Sequence, residues 1–144
     1  MCLEARSKGI SVGDEEVIGY KILVSWVNRE GLYSPTYAQR YEIGEYYHED
    51  RFPSICNLCV YTYGYHMCES LESARAYLRE IYEASEEHDI DRLDQCVIAK
   101  CRIPSGDVCV TGEDGTYHIP GLVCSGFVLD GIVETYDVDE LDVL

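Results

Sequence analysis

Only one stretch of this 144-residue chain carries the period of an amphipathic helix. Ser70 is a favourable N-cap and Glu72 falls in the first turn. Leu71, Ala74, Leu78 and Ile81 recur at helical spacing, with Tyr77 and Tyr82 widening the stripe. The pattern fades near Ser85, and the acidic run "EEHDID" follows as a connector.

The remaining apolar segments read as strands. "EEVIGYKILVSWV" (15–27) is rich in β-branched and aromatic residues, and Asn28, Gly31 and Pro35 supply turn chemistry after it. "QRYEIGEYYHED" alternates loosely about a glycine bend, with Tyr41, Ile43 and Tyr46 as inward positions. "SICNLCVYTYGY", "LDQCVIAKCRI", "DVCVTG" and "GLVCSGFVLDGIVETY" follow, the last breaking at Gly126 or Gly131. Pro104-Ser105-Gly106 and Glu113-Asp114-Gly115 mark turns. One helix among six to seven strands defines an α+β chain: a curved, mostly antiparallel sheet with the helix packed on it. The length suits a single domain, residues 1–136, with 137–144 as a loosely held acidic tail.

Nothing in the chain reaches the run of about 18 apolar residues that would span a membrane. The segment "MCLEARSKGI" lacks the apolar stretch of a signal peptide, so the expected compartment is the cytoplasm. In that setting the eight cysteines are expected as thiols rather than disulfides. Cys96, Cys101, Cys109 and Cys124 lie in apolar strand-like runs, where a thiol serves as a small hydrophobe.

Charge narrows the choice of partners. Acidic residues outnumber basic ones 27 to 11, a net charge of −16. A field of that sign repels phosphate backbones and anionic lipid and favours basic proteins. The excess is one-sided: after Arg102 there is no Lys or Arg, while Asp107, Glu113, Asp114, Asp130, Glu134, Asp137, Asp139, Glu140 and Asp142 follow. A solubilising surface is the competing account of the same residues. Tyrosines Tyr33, Tyr37, Tyr41, Tyr46 and Tyr47 gather beside Glu45, Glu49 and Asp50. Tyrosine is a low-entropy anchor at interfaces, and it is equally a half-buried core residue.

Catalytic and metal patterns are loose. Cys56-x-x-Cys59 with His66 and Cys68 has some of the spacing of a zinc knuckle, but on a continuous strand Cys56 and Cys59 would point to opposite faces. His66 otherwise serves to fix the turn from strand to helix. With eight cysteines and four histidines, a nucleophile–base pair can always be drawn, and no glycine-rich phosphate loop or dinucleotide fingerprint is present. No catalytic residue, metal ligand or cofactor is assigned, and enzymatic activity is the lesser expectation.

Two resemblances add to this reading. "MCLEARSKGI", "GYKIL", "LYSPTYAQRYEIGEYY", "GYHMCESLESARAYL" and "CVIAKCRIPSGDVCVTG" occur in an order that resembles small phage and mobile-element proteins with a Met-Cys-Leu start and a Gly-aromatic-His step into a helix. The resemblance covers roughly residues 1–134 and implies a mobile-element accessory protein of the kind that inhibits host defence, as anti-CRISPR proteins do. "GYHMCESLESARAYL", "VIAKCRIPSGD" and "GEDGTYHIPGLV" look like parts of ADP-ribosyltransferase domains. That likeness would place Tyr63, His66 and Glu113 near NAD. The surroundings of Glu113 lack the paired acidic or glutamine motif, so it implies a non-catalytic relative.

The expectation is therefore an acidic interaction protein in the host bacterial cytosol that blocks a basic, nucleic-acid-handling defence protein. Glu45, Tyr46, Tyr47, Glu49, Asp50, Asp130, Glu134, Asp137, Asp139, Glu140 and Asp142 are its candidate contact residues. An ADP-ribosyltransferase-like enzyme and a zinc-stabilised or small-ligand-sequestering module are the alternatives.

Overall fold

The structure is a computed structural model that describes residues 3–4, 10–12, 15–35, 39–50, 64–85, 93–114 and 117–137. Its elements run β1 (Leu3–Glu4), β2 (Ile10–Val12), β3 (Val17–Trp26), β4 (Arg29–Tyr33), β5 (Arg40–Tyr41), β6 (Tyr46–His48), β7 (Tyr65–Cys68), α1 (Leu71–Ser85), β8 (Leu93–Ile103), β9 (Val108–Asp114), β10 (Pro120–Cys124) and β11 (Gly126–Asp137). The α+β class stands: the described residues form one helix and an open antiparallel sheet. Among the described residues the sheet has eleven strands rather than six to seven, because β1, β2, β4 and β7 join it and the expected strand over 39–50 divides at its glycine bend into β5 and β6.

Along the main path the strand order is β1-β9-β10-β7-β3-β8-β11-β6, with β2 beside β9 and β4 and β5 continuing from β3. The spine is β3 against β8, in unbroken register from Val17↔Ile103 to Ser25↔Gln95. Both strands are buried on both faces, which is why they read as near-continuous apolar runs rather than alternating ones. Tyr20, Ile22, Val24 and Trp26 of β3 and Cys96 and Ile98 of β8 face α1, which contributes Leu71, Ala74, Tyr77 and Leu78. On the opposite face Leu23, Val97, Ala99, Cys101 and Ile103 pack with Met67, Leu122, Cys124, Phe127 and Leu129. Tyr41, Tyr47 and Tyr65 close that second core around Phe127, with ring centroids 4.9–5.8 Å apart.

The helix starts where its cap chemistry places it: the backbone N–H of Ser73 donates to Ser70 Oγ at 3.0 Å. Gly64 takes a φ of +98° and leads into β7. His66 therefore lies inside a strand, not in a strand–helix turn as expected. The last long segment breaks at Ser125, one residue before the anticipated glycine. Asp137, expected to open the tail, is the last residue of β11 and pairs with Gln95. The expected third strand, "SICNLCVYTYGY", lies outside the described residues apart from its last two positions.

On one side β3 is laddered to β8 throughout. On the other it pairs with β7 only at Tyr20↔Cys68, and with β4 only from Val24 onward. The sheet consequently divides beside Lys21, Ile22 and Leu23.

Candidate functional site

Two places could carry function: the outer edge of the sheet and the division beside β3.

At the edge, β6 covers only Gly126–Val128 of β11, and the rest of β11 has β8 alone as its partner among the described residues. The two acidic stretches that are distant in sequence meet here, since Leu129 donates its N–H to Glu45 O at 3.2 Å and accepts from Gly44 N at 2.7 Å. Register shifts after Leu129 and Ile132 mark two bulges, which turn the strand and hinder addition of another. Ile132 and Val133 stand exposed between Asp130 and Glu134, at 43% and 44%.

The acidic side chains differ in how they are engaged. Arg75 of α1 donates through Nε to both Glu134 oxygens at 3.0 Å and through Nη2 to one of them, and Tyr136 also donates to Glu134. These bonds, the Arg75 bond foremost, hold the Glu134 carboxyl below its ordinary value. Asp130 accepts from Arg102 Nε at 3.3 Å, and Asp137 from Gln95 Nε2 at 2.8 Å. Asp50 lies 2.9 Å from His48 Nδ1. Glu45 meets no cation among the described residues. Asp139, Glu140 and Asp142 lie outside them.

The tyrosines of this region divide between surface and core. Tyr46 is half-exposed; its hydroxyl donates to Asp107 Oδ2 at 2.7 Å, and Ser125 Oγ donates to the other oxygen at 3.0 Å. Desolvation first, and then the bond to Asp107, push the Tyr46 hydroxyl up to about 12. Gly126 makes this closure possible, since a Cβ there would stand 2.6 Å from the Tyr46 oxygen and 2.9 Å from Asp107. Tyr47 belongs to the core, stacked on Phe127, and its oxygen accepts the Glu42 N–H at 2.7 Å. It is not an exposed anchor. Glu49 is half-buried and lines the cleft rather than the edge.

That cleft, of about 280 Å³, occupies the division between β4–β5 and β7. Its walls include Tyr20, Tyr41, Tyr65, Gln39 and His66, with Lys21 among them. Lys21 is nine-tenths buried. Its Nζ donates to the backbone carbonyl of His66 at 2.9 Å and lies 5.4 Å and 6.0 Å from the ring centroids of Tyr41 and Phe127. Burial lowers its pKa from the ordinary value of 10.5, opposed by the nearby Cys101, Cys124 and Cys68. Burial likewise pushes the Tyr41 hydroxyl well above the usual range. Sequence reasoning did not single out Lys21. The available signal was a lone lysine on the Val17, Gly19, Lys21, Leu23 face of a strand with no other charge.

Cys96, Cys101, Cys109 and Cys124 are buried free thiols, as expected of small hydrophobes. Desolvation pushes Cys96 and Cys109 up to about 11 and Cys101 to about 12. Of the zinc candidates, Cys56 and Cys59 lie outside the described residues, and Cys68 is buried against α1 with Ala74 and Leu78. No cluster of three metal-ligating side chains occurs among the described residues. Glu113 is not in the cleft with His66: its β10 partner is Pro120, whereas that of His66 is Val123. Two strand spacings and three residues of rise put the two backbones roughly 14 Å apart. Glu113 instead lies 3.6 Å from His118 Nδ1. Tyr63 lies outside the described residues.

No described helix is long and apolar enough to cross a membrane. Comparison with known proteins gave no match to a protein-family model, a curated protein or a solved structure.

Proposed function

We propose that this chain is an acidic interaction protein that docks a basic protein through its β6–β11 edge. The observation that carries the reading is the pair Ile132 and Val133, exposed on the open strand and flanked by Asp130 and Glu134. An apolar centre with an acidic rim suits a partner whose own surface is basic. The net charge of −16 supports the same class of partner and accelerates its encounter. Tyr46, Glu45 and Asp50 extend the rim, and Asp137 closes its far end. Because the bulges oppose strand addition, contact is through side chains.

In its finer form the proposal is an inhibitor, of mobile-element origin, that occupies the nucleic-acid-binding surface of a host defence protein. The charge and the order of sequence motifs support that form. Two arginines, Arg75 and Arg102, already offset Glu134 and Asp130, so the apolar pair carries more of the binding than the charge count implies.

The test is retention of bacterial proteins on the immobilised chain and on an Ile132→Arg/Val133→Arg variant, washed at low and molar salt. A basic nucleic-acid-binding protein retained by the first, lost from the second and released by salt is the expected result. An empty column, equal retention by both, or retention indifferent to salt would overturn the proposal.

A further inference from the structure

Lys21 presents a chemical imbalance that the edge does not address. An ammonium has three N–H donors. Among the described residues Lys21 has one hydrogen-bond acceptor, the His66 carbonyl, and no carboxylate partner. Buried cations are ordinarily paired, because an uncompensated one is costly. This chain has 27 acidic residues, yet the described residues give its buried lysine none of them. The lysine lines a cleft, on a strand whose ladder opens at that point, and Tyr20, Tyr41, Tyr65 and Tyr77 stand among its walls.

We propose that the cleft binds a small organic carboxylate with an aromatic or aliphatic body, and that Lys21 is the cation that recognises it. The carboxylate accepts the two Nζ–H donors that the bond to His66 O leaves over, giving the buried ammonium the anion that the described residues do not supply. Tyr41 and Tyr65 hold the apolar body, and Gln39 and Ser34 offer further polar contacts. The volume admits a metabolite of about ring size and disfavours a dinucleotide. Glu49 lines the same cleft, so the carboxylate belongs either to a simple acid or to an amino acid whose ammonium faces Glu49. The strongly negative field disfavours dianions in either case.

The probes are 3-phenylpropionate, hexanoate and phenylalanine, with 3-phenylpropionamide as the uncharged control, titrated by NMR into the wild-type protein and into Lys21→Met. At least one carboxylate is expected to bind with a millimolar or lower Kd and to move the resonances of Tyr20, Ser34, Gln39 and His66. The amide is expected to bind at least tenfold more weakly, as is every probe to Lys21→Met. Preference for phenylalanine, lost in Glu49→Gln, identifies an amino acid as the source of the carboxylate. Preference for the simple acids identifies a free acid. Absence of binding by all three carboxylates at 10 mM (roughly the weakest affinity of interest) would overturn the proposal. Equal binding of the amide, or undiminished binding to a folded Lys21→Met, would overturn it as well. The resonance mapping uses the unaltered chain, so it decides the location even if the variant folds poorly.

Discussion

Replacing Lys21 with methionine should make the protein more stable at neutral pH, although it removes a hydrogen bond. The unfolded chain hydrates all three ammonium donors, whereas the described residues of the folded chain supply one acceptor, His66 O. A buried donor left without a partner costs about 1–3 kcal/mol, and two are in question. Against this, the charged bond to the carbonyl contributes about 1.5–3 kcal/mol, and the ring contacts of Tyr41 and Phe127 about 0.5–2 kcal/mol. Methionine has similar length and adapts to an irregular space, so little packing is lost. At the midpoints of these ranges the balance is a gain of about 0.5 kcal/mol, or roughly 1–2 °C in Tm for a chain of this size. pH provides the sharper criterion. Burial holds the folded-state pKa of Lys21 below 10.5, so between that lowered value and 10.5 the unfolded chain binds the extra proton. Stability from this group therefore rises with pH across that window and is least at neutral pH. Urea denaturation of both proteins from pH 7 to pH 10 should show the methionine variant ahead at pH 7 and its lead shrinking as pH rises. A variant less stable by more than 1 kcal/mol at pH 7, or a difference constant with pH, would refute the account of Lys21 as an under-partnered cation.

Two further outcomes follow from the core and the helix. Cys101, pushed to about 12, and Cys96 and Cys109, pushed to about 11, hold almost no thiolate at pH 8 and are sealed from solvent. Peptide mapping after iodoacetamide should find them unmodified in the native protein and fully modified after denaturation; native labelling at the rate of a free thiol would count against the packing. The Arg75 bond holds Glu134 below 4.5, so its contribution to stability is fully present above that pH and is lost as pH falls through the lowered value. Arg75→Met should therefore lose less stability than the wild type between pH 5 and pH 3, and parallel acid limbs would show that the pair contributes nothing.

The fold was legible where one rule governed a whole segment. The helix was readable because its cap and its 3.6-residue period agree, and Ser70 indeed caps Ser73. The spine strands were readable because burial on both faces demands uninterrupted apolar residues. What escaped were β1 and β2, two or three residues each, which exist through the ladder bonds of a longer neighbour, and β4, which lies in the stretch read as a turn. Tyr65–Cys68 was similarly masked, because four residues ahead of a helix carry too little alternation to separate a strand from a turn.

The sites divide along the same line. That Glu45 and Asp130 share an edge depends on the pairing of β6 with β11, a contact between residues some eighty apart that no local pattern encodes. The two bulges in β11 then decide which way each acidic side chain points. They return Glu134 to the helix face opposite Ile98, where Arg75 reaches it, and leave Ile132 and Val133 outermost. Lys21 is the opposite case, because its oddity was local and visible: one charge on an apolar face of a strand. Its meaning was not local, since β3 could have laddered fully with one neighbour and left the lysine to be pushed toward solvent. Only the division of that ladder between β7 and β4 turns the position into the wall of a cleft. A lone charge in an apolar strand therefore merits a search for an incomplete ladder beside it, before it is dismissed as a residue that snorkels to the surface.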